Sequence, residues 1–271
     1  MTDLDFDAIR RLLLERSAIA LEDDKKYLVE ARLTPLVRRL DLGSIGDLIA
    51  QLRREPANGL DRQIVEALVT TESSFFRDHH PFEALRTMVI PDLVARRREA
   101  RRLNIWCAAC STGQEPYSVA ILLREHFPEL AGWKVHLLAS DLSREALARA
   151  RAGRFKQIEV NRGLPAALLV KHFEQHGTEW QLRPPLRAMV DFQELNLARP
   201  WPALPPMDLV LLRNVMIYFG VETKKDILAR LVRVLKPDGY LLLGGAETTL
   251  NLCDAYRRVE PLKSGFHQLI R

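Results

Sequence analysis

Between Leu103 and Ser118 an apolar run, Leu103, Ile105 and Trp106, gives way over a few small residues to a helical pattern that contains Pro116. An apolar strand, a tight turn and a helix form the opening unit of a parallel, doubly wound sheet, whose strands are covered on both faces by their connecting helices. Pro116 is tolerated there because the first turn of a helix has no intrahelical partner for the N–H it lacks. The alternation recurs downstream. Lys134 to Ala139 reads as a strand ending at Ser140 and Asp141, and the helix SREALARARAGR follows, with Gly153 able to end it. Met189 to Glu194 and Met207 to Leu212 read as further strands. The helix Glu222 to Leu235 is stopped by Lys236-Pro237-Asp238-Gly239 before the strand Tyr240 to Leu243. Tyr256 to Val259 and Phe266 to Ile270 are close enough to pair as an antiparallel edge. The segment from Phe155 to Ala188, with Pro165, Gly177, Pro184 and Pro185, interrupts the pattern and is expected to be an insert of a helix plus short strands.

Upstream, residues 1–69 show helical spacing alone. Phe6, Ile9, Leu12 and Leu13 follow Asp3 as a candidate cap, and Leu28, Leu33, Leu36, Val37 and Leu40 mark a second helix ending near Gly43. Ser44 with Asp47 resembles a capping box for a third helix, stopped near Pro56, and Asn58 to Thr70 carries Leu60, Ile64, Leu68 and Val69 as a fourth. Short helices with short connections make a small bundle. The expected fold is therefore α/β. An N-terminal all-helical domain over 1–69 is followed by an interdomain linker over 70–82 and a Rossmann-like sheet domain over 83–271, with the inserted β-subdomain at about 155–188.

With 47% hydrophobic and 28% charged residues in 271, the chain has the composition of an ordinary globular protein. No apolar run reaches bilayer length, and the start MTDLDFD is acidic where a signal peptide is basic, so a cytoplasmic location without membrane insertion is expected. The formal net charge of +5 favours an acidic partner. On the second helix Lys25, Lys26, Arg32, Arg38 and Arg39 face Glu30 alone, five minus one, or +4. This stripe is either a solvated face or a docking surface for an acidic partner. A second run, Arg96 to Arg102, holds five arginines and one glutamate and is expected to be a solvated helix end.

The turn after Trp106 selects among ligands. Cys107 and Cys110 form a C-x-x-C, but a redox pair opens its helix, and here the helix pattern starts several residues later. A structural zinc needs four ligands, which Cys253 does not complete, so no metal is expected. A dinucleotide needs G-x-G-x-x-G, and a P-loop needs its lysine; this turn has small residues, Ala108 and Ala109 among them, and the single glycine Gly113. An adenosine cofactor without phosphate, such as S-adenosylmethionine, fits such a turn. Asp141, 141 minus 113 or 28 residues past Gly113, is placed to accept ribose hydroxyls or to cap the helix at Ser143. Asn196, Leu197 and Asn214 follow strands, at the carboxyl ends where such sheets bind ligands.

Four stretches occur together and in order: TTESSFFRD at 70–78, WCAACSTGQEPYS at 106–118, LASD at 138–141 and RNVMIYF at 213–219. With them the chain resembles, over nearly its whole length, the CheR family of S-adenosylmethionine-dependent methyltransferases that esterify glutamates of chemotaxis receptors. The resemblance implies that Thr71, Ser73, Arg77, Ala109, Glu115, Asp141, Asn196, Leu197, Asn214 and Val215 surround the cofactor. It also implies that Arg77 and Tyr218 lie nearest the reacting groups. Thr71 stands where the family pattern has asparagine, and Ser73 where it has threonine. The implied partner is the receptor's cytoplasmic helical bundle, with Arg32, Arg38 and Arg39 as docking residues and S-adenosylhomocysteine as product. The loop between Phe173 and Phe192 looks shorter than in members that bind a tethering peptide, so tether-independent action by a monomer is expected. A nucleic-acid methyltransferase is the rival reading, although Arg213-Asn214-Val215-Met216 stands where base amino methylation has a [DNS]-P-P-[YFW] motif. A non-catalytic module that binds cofactor or receptor is the third.

Overall fold

A computed structural model describes residues 1–55, 59–260 and 264–270. Pro56 and Asn58, expected to border the third and fourth helices, lie outside the described residues. The chain forms two compact units, Met1–Thr70 with Tyr218–Thr223, and Thr71–Ile217 with Lys224–Arg271.

The first unit holds α1 (Asp3–Ser17), α2 (Lys26–Arg39), α3 (Ile45–Arg54) and α4 (Leu60–Leu68). Phe6, Ile9, Leu13, Val29, Leu33, Leu48 and Ile64 close its core. The first helix is capped one residue earlier than expected. Thr2 accepts the Asp5 N–H and Asp5 returns a bond to the Thr2 backbone, a reciprocal box that uses two otherwise unpaired donors. Ser44 caps α3 through the Asp47 N–H at 3.1 Å. The segment Tyr218–Thr223 joins this unit: Ile19 and Phe219 form an isolated antiparallel bridge, and Ala20 N–H donates to the Tyr218 carbonyl at 3.1 Å.

The second unit opens with α5 (His80–Ala84), a π turn (Leu85–Val89) and α6 (Ile90–Arg96). Pro91, which lacks an N–H and crowds the preceding turn, accounts for the widening. A seven-stranded sheet follows, from β1 (Arg102–Ala108), β2 (Lys134–Asp141), β6 (Val190–Glu194), β7 (Met207–Leu212), β8 (Leu235–Leu243), β9 (Tyr256–Arg258) and β10 (Phe266–Leu269). Its order is β6-β2-β1-β7-β8-β10-β9, parallel from β6 through β8 and antiparallel for the last two. The central strands β1 and β7 are buried almost end to end, and α7 (Gln114–His126), α8 (Arg144–Ala152) and α12 (Val221–Val234) are the helices of this α/β alternation. Lys236-Pro237-Asp238-Gly239 lies within β8, where the register against β7 jumps from Met207–Leu235 to Leu209–Tyr240. These residues thus make an irregular strand entrance directly after α12.

Between β3 (Arg154–Lys156) and β6 the insert contains β4 (Phe173–His176), β5 (Glu179–Leu182) and three short helices, α9 (Gln157–Asn161), α10 (Ala166–His172) and α11 (Pro184–Arg187), where one helix was expected. The prolines explain the difference, since Pro165 and Pro184 each open a turn and prevent a longer helix. Its three-stranded sheet runs β3-β5-β4, antiparallel. Phe75 is buried edge-on against Phe155 and Phe173, with ring centroids at 5.0 and 5.7 Å, which fixes the 71–78 segment on the insert. Gly163 has φ +91°, and a Cβ there would meet the Phe75 carbonyl oxygen at 2.1 Å. Gly163→Ala is therefore expected to cost about 2–4 kcal/mol, read as a lowered urea midpoint at unchanged slope; a midpoint equal to that of the parent protein would show that this backbone contact yields freely.

The Arg96–Arg102 run is not simply a solvated end. Arg97 lies in a partly buried network, 2.5 Å from Asp208 and bidentate to Asp238 at 2.9 and 2.5 Å. Asp208 is wholly buried at the start of β7 and also accepts Lys236 Nζ and the Asn104 N–H, each at 2.8 Å. A carboxylate placed in an apolar strand needs such partners, and two cations with one N–H provide them. The Arg97 guanidinium holds the Asp238 carboxyl below its ordinary value.

Candidate functional site

Strand register decides which residues meet. Ala108 lies opposite both Ser140 of β2 and Leu212 of β7, and Asp141 lies opposite Glu194 of β6. Ala109 just past β1, Asp141 ending β2, and Asn196 and Asn214 two residues past β6 (Val190–Glu194) and β7 (Met207–Leu212) therefore share one row at the carboxyl edge of the parallel strands, and the chain reverses strand order at β1, where such sheets open a crevice.

The loop after β1 is held in an unusual backbone conformation. Ala109, Ser111 and Gly113 have φ of +61°, +53° and +96°. For the two non-glycine residues this costs on the order of 1–2 kcal/mol each. The surroundings impose it: Cys110 N–H donates to the Ser140 carbonyl at 2.8 Å, Ser111 N–H to Asp141 Oδ2 at 2.8 Å, and Ser111 Oγ–H to the Thr71 carbonyl at 2.6 Å. Asp141 Oδ1 accepts the Ser143 N–H at 2.9 Å, while Ser143 itself caps α8 through the Ala146 N–H. Asp141 is thus not the helix cap but the tie between the β1 loop and the end of β2. Cys107 and Cys110 are buried, and burial pushes both thiols well above their ordinary value. That is the opposite of an activated redox pair, and α7 begins only at Gln114.

Glu115 is buried in the first turn of α7, where a helix N-terminus favours negative charge. Burial nevertheless raises its carboxyl above the ordinary value, and Arg213 opposes the rise with a bond from Nη1 at 2.9 Å. Arg213 was not singled out from the sequence, yet it organises this edge. Its side chain is 1% exposed, and Nη2 donates to the Arg77 carbonyl at 3.0 Å and to Asp78 Oδ2 at 2.7 Å. Phe76, Asp78 and His79 all have positive φ, so the turn carrying Arg77 is strained and Arg213 clamps it. Arg77 itself is half-buried, and its guanidinium makes one long contact, 3.5 Å to the Glu72 carbonyl. Ser73 is half-buried on the same segment, and Thr71 and Glu72 are exposed.

Glu247 is the second residue the sequence did not flag. One oxygen accepts the N–H groups of Asn214 and Gly244 at 2.8 and 2.7 Å, and the other accepts those of Val215 and Met216 at 2.9 and 2.7 Å. One carboxylate thereby fixes the whole turn after β7, including Asn214 at φ +58°. On the far side of the row, Asn196 Oδ1 accepts the Ala198 N–H at 2.9 Å, and the carbonyl of the buried Leu197 accepts from Trp201 and Arg230. A strand-terminal charge beside an apolar run, as at Arg213, and a glutamate in a glycine loop, as at Glu247, are the signals by which both could have been found.

Tyr218 belongs to the first unit, half-buried at the end of a single turn of 3₁₀ helix (Met216–Tyr218). In that same unit Arg32 donates to the Leu68 carbonyl and, at 3.0 Å, to Thr70 Oγ1, closing the end of α4. Lys25 pairs with Asp24 at 2.9 Å and Lys26 with Asp3 at 2.7 Å, so acids outside the counted window offset part of the +4 stripe. Arg38 and Arg39 are exposed.

The donor set suits S-adenosylmethionine. Small residues permit close approach at the β1 loop, a carboxylate ends β2, and Arg77 is lightly held beside a buried glutamate. Comparison with known proteins agrees. The model for the CheR methyltransferase all-alpha domain matches residues 4–69, and that for the CheR methyltransferase SAM binding domain matches 71–263. The chain is 37% identical to a chemotaxis protein methyltransferase of Pseudomonas putida KT2440, over 95% of each chain. It is 38% identical to chemotaxis protein methyltransferase 1 of Pseudomonas aeruginosa PAO1 over 94% of each, and 34% identical to the Escherichia coli K12 chemotaxis protein methyltransferase over 93% of this chain and 87% of that one. The chain belongs to the CheR family of S-adenosylmethionine-dependent methyltransferases.

Proposed function

We propose that this protein transfers a methyl group from S-adenosylmethionine to glutamate carboxylates of chemotaxis receptors, forming methyl esters for sensory adaptation. The observation that carries the reading is the single row of Ala109, Asp141, Asn196 and Asn214 at the carboxyl edge of the sheet, in a chain whose two family matches span both of its units. When bound, the cofactor supplies a sulfonium-activated methyl and leaves as S-adenosylhomocysteine.

The residues explain how little else is needed. A glutamate side chain ionises near pH 4.3, so at neutral pH the acceptor is already a nucleophile and no general base is required. Attack neutralises opposite charges, so water stabilises the separated reactants more than the transition state. Rate then comes from excluding water and aligning acceptor oxygen, methyl carbon and sulfur. Thr71, Ser73, Ala109, Glu115, Asp141, Asn196, Leu197, Asn214 and Val215 hold the cofactor, with Asp141 accepting from the ribose. Arg77, with five donors and one long internal contact, orients a carboxylate. Tyr218 presents its hydroxyl to the acceptor. Radiolabelled methyl transfer to a chemoreceptor, to nucleic acid and to a buffer control tests this; the label is expected on the receptor alone and is lost in mild base as an ester should be. Label on nucleic acid, or a base-stable product, would refute it.

The protein acts as a cytoplasmic monomer on the receptor's acidic helical bundle, with Arg38 and Arg39 as the charges that meet it and Arg32 holding the end of α4 behind them. An Arg38→Glu/Arg39→Glu double variant is expected to raise the receptor KM about tenfold at low salt and to flatten its salt dependence. Wild-type KM in that variant would remove this surface from the account. The short loops of the insert favour action without a receptor tethering peptide, and calorimetry with such a peptide should register no binding.

A further inference from the structure

A cavity of about 580 Å³ opens at the carboxyl ends of β7 and β8, beside β9 and β10. Asp78, Arg213, Asn214, the loop Gly244 to Thr248, Arg258 and His267 are among the residues that line it. Of the cofactor row it shares Asn214, whereas Ala109, Glu115, Asp141 and Asn196 do not line it. It therefore lies mostly apart from the cofactor row, against the turn after β7 and against Asp78, the chain neighbour of Arg77.

Its charges are unevenly settled. Asp78 is paired with Arg213, and the Glu247 carboxylate is surrounded by four backbone N–H groups. The His80 and His267 rings each direct Nδ1 at a backbone carbonyl, at 2.7 and 3.0 Å. Arg258, exposed on β9, makes no hydrogen bond or ion pair among the described residues. Asp78 is taken up by Arg213 and the Glu247 oxygens are occupied by backbone donors, so the Arg258 guanidinium is the charge left to meet whatever enters. Gly245 adds open space, since a Cβ built there meets nothing within 4 Å.

We infer that this cavity is an acceptor subsite, in which Arg258 pairs with an acidic side chain flanking the glutamate to be methylated, and so helps to select the receptor segment. The inference rests on the receptor-methylation reading given above. Its ligand is a carboxylate carried by a protein chain; a free small anion would use the same guanidinium, and the experiment separates the two.

Steady-state methylation of a purified chemoreceptor cytoplasmic bundle is measured with the wild type, Arg258→Glu and Arg258→Lys, in low-salt buffer free of other carboxylates and phosphate, alongside calorimetric binding of S-adenosylhomocysteine. Arg258→Glu is expected to raise the receptor KM about tenfold and to weaken its dependence on salt, while cofactor affinity stays within twofold and Arg258→Lys recovers most of the loss. A receptor KM within twofold of wild type, or an equal loss of cofactor affinity, overturns the assignment. So does an altered sensitivity to added glutamate or phosphate with an unchanged receptor KM, which would mark a small-anion site. A wild-type enzyme that leaves no base-labile methyl on the receptor defeats the functional reading itself, a result distinct from any of these.

Discussion

Arg77→Ala should lose methyl transfer by about 10²- to 10³-fold while keeping its fold. The magnitude is that of removing a group that orients charge in a water-poor site. The fold should survive because the guanidinium makes one long contact, to the Glu72 carbonyl, and a half-buried side chain so lightly held contributes within about 0.5 kcal/mol. Tyr218→Phe removes a hydroxyl alone and should lower kcat with the thermal midpoint unchanged. The decisive measurement is kcat beside S-adenosylhomocysteine affinity. If Arg77 orients the acceptor, kcat falls and affinity holds; if it grips the cofactor, both fall together. Near-normal turnover in both variants would remove these two residues from the chemistry.

Arg213→Met is expected to be the most damaging single change to stability. The variant keeps the side chain's bulk but takes from the buried Glu115 its hydrogen-bonded guanidinium and releases the strained turn at residues 76–79. Breaking one side of a buried pair costs about 3–5 kcal/mol. The sign of its pH dependence follows from Glu115. Burial already holds that carboxyl above its ordinary value, so the native state binds the proton more tightly than the unfolded chain and stability falls as pH rises through that range. Without Arg213 the native value rises further. The gap between variant and wild type should accordingly be small near pH 5 and widest near pH 8, as read by urea midpoints at each pH. Pairing the change with Glu115→Gln should recover part of the loss at pH 8. A gap that is constant with pH would show that the damage lies in the turn rather than in the buried charge.

The parallel sheet was legible because strands covered on both faces carry apolar runs, and Leu137–Ala139 and Leu209–Leu212 stand out against their polar helices. What stayed hidden was pairing across long sequence separations. Arg97 read as solvated because its neighbours are arginines, while its partner Asp208 sits inside an apolar strand. An acid so placed must find a cation, and nothing local says which. Glu247 escaped for a related reason: its bonds are to backbone N–H groups, which carry no residue signature. The cap at Thr2 rather than Asp3 turned on a reciprocal bond that either residue type permits. Within the site, Asp141 was found from its place at the end of a strand and Glu115 through a resemblance, but the structure supplies the physics that keeps them there, a strained loop tied at three points and a guanidinium shared between a helix start and a turn.

The strand-like bridge between Ile19 and Phe219 has a consequence for how such a protein can be rebuilt. The helical unit is discontinuous in sequence, since residues 218–223 complete it although some 150 residues of sheet domain precede them. A hybrid made by exchanging only residues 1–70 between relatives would therefore split one unit across two parents, pairing a foreign Ile19–Ala20 edge with a native 218–219 segment. Exchange should succeed best when the short downstream piece travels with the N-terminal one. Because that piece includes Tyr218, inheritance of the helices proposed to dock the receptor and of a residue proposed to act in the reaction would then be linked, and on that reading drift toward a new receptor would carry part of the reaction centre with it.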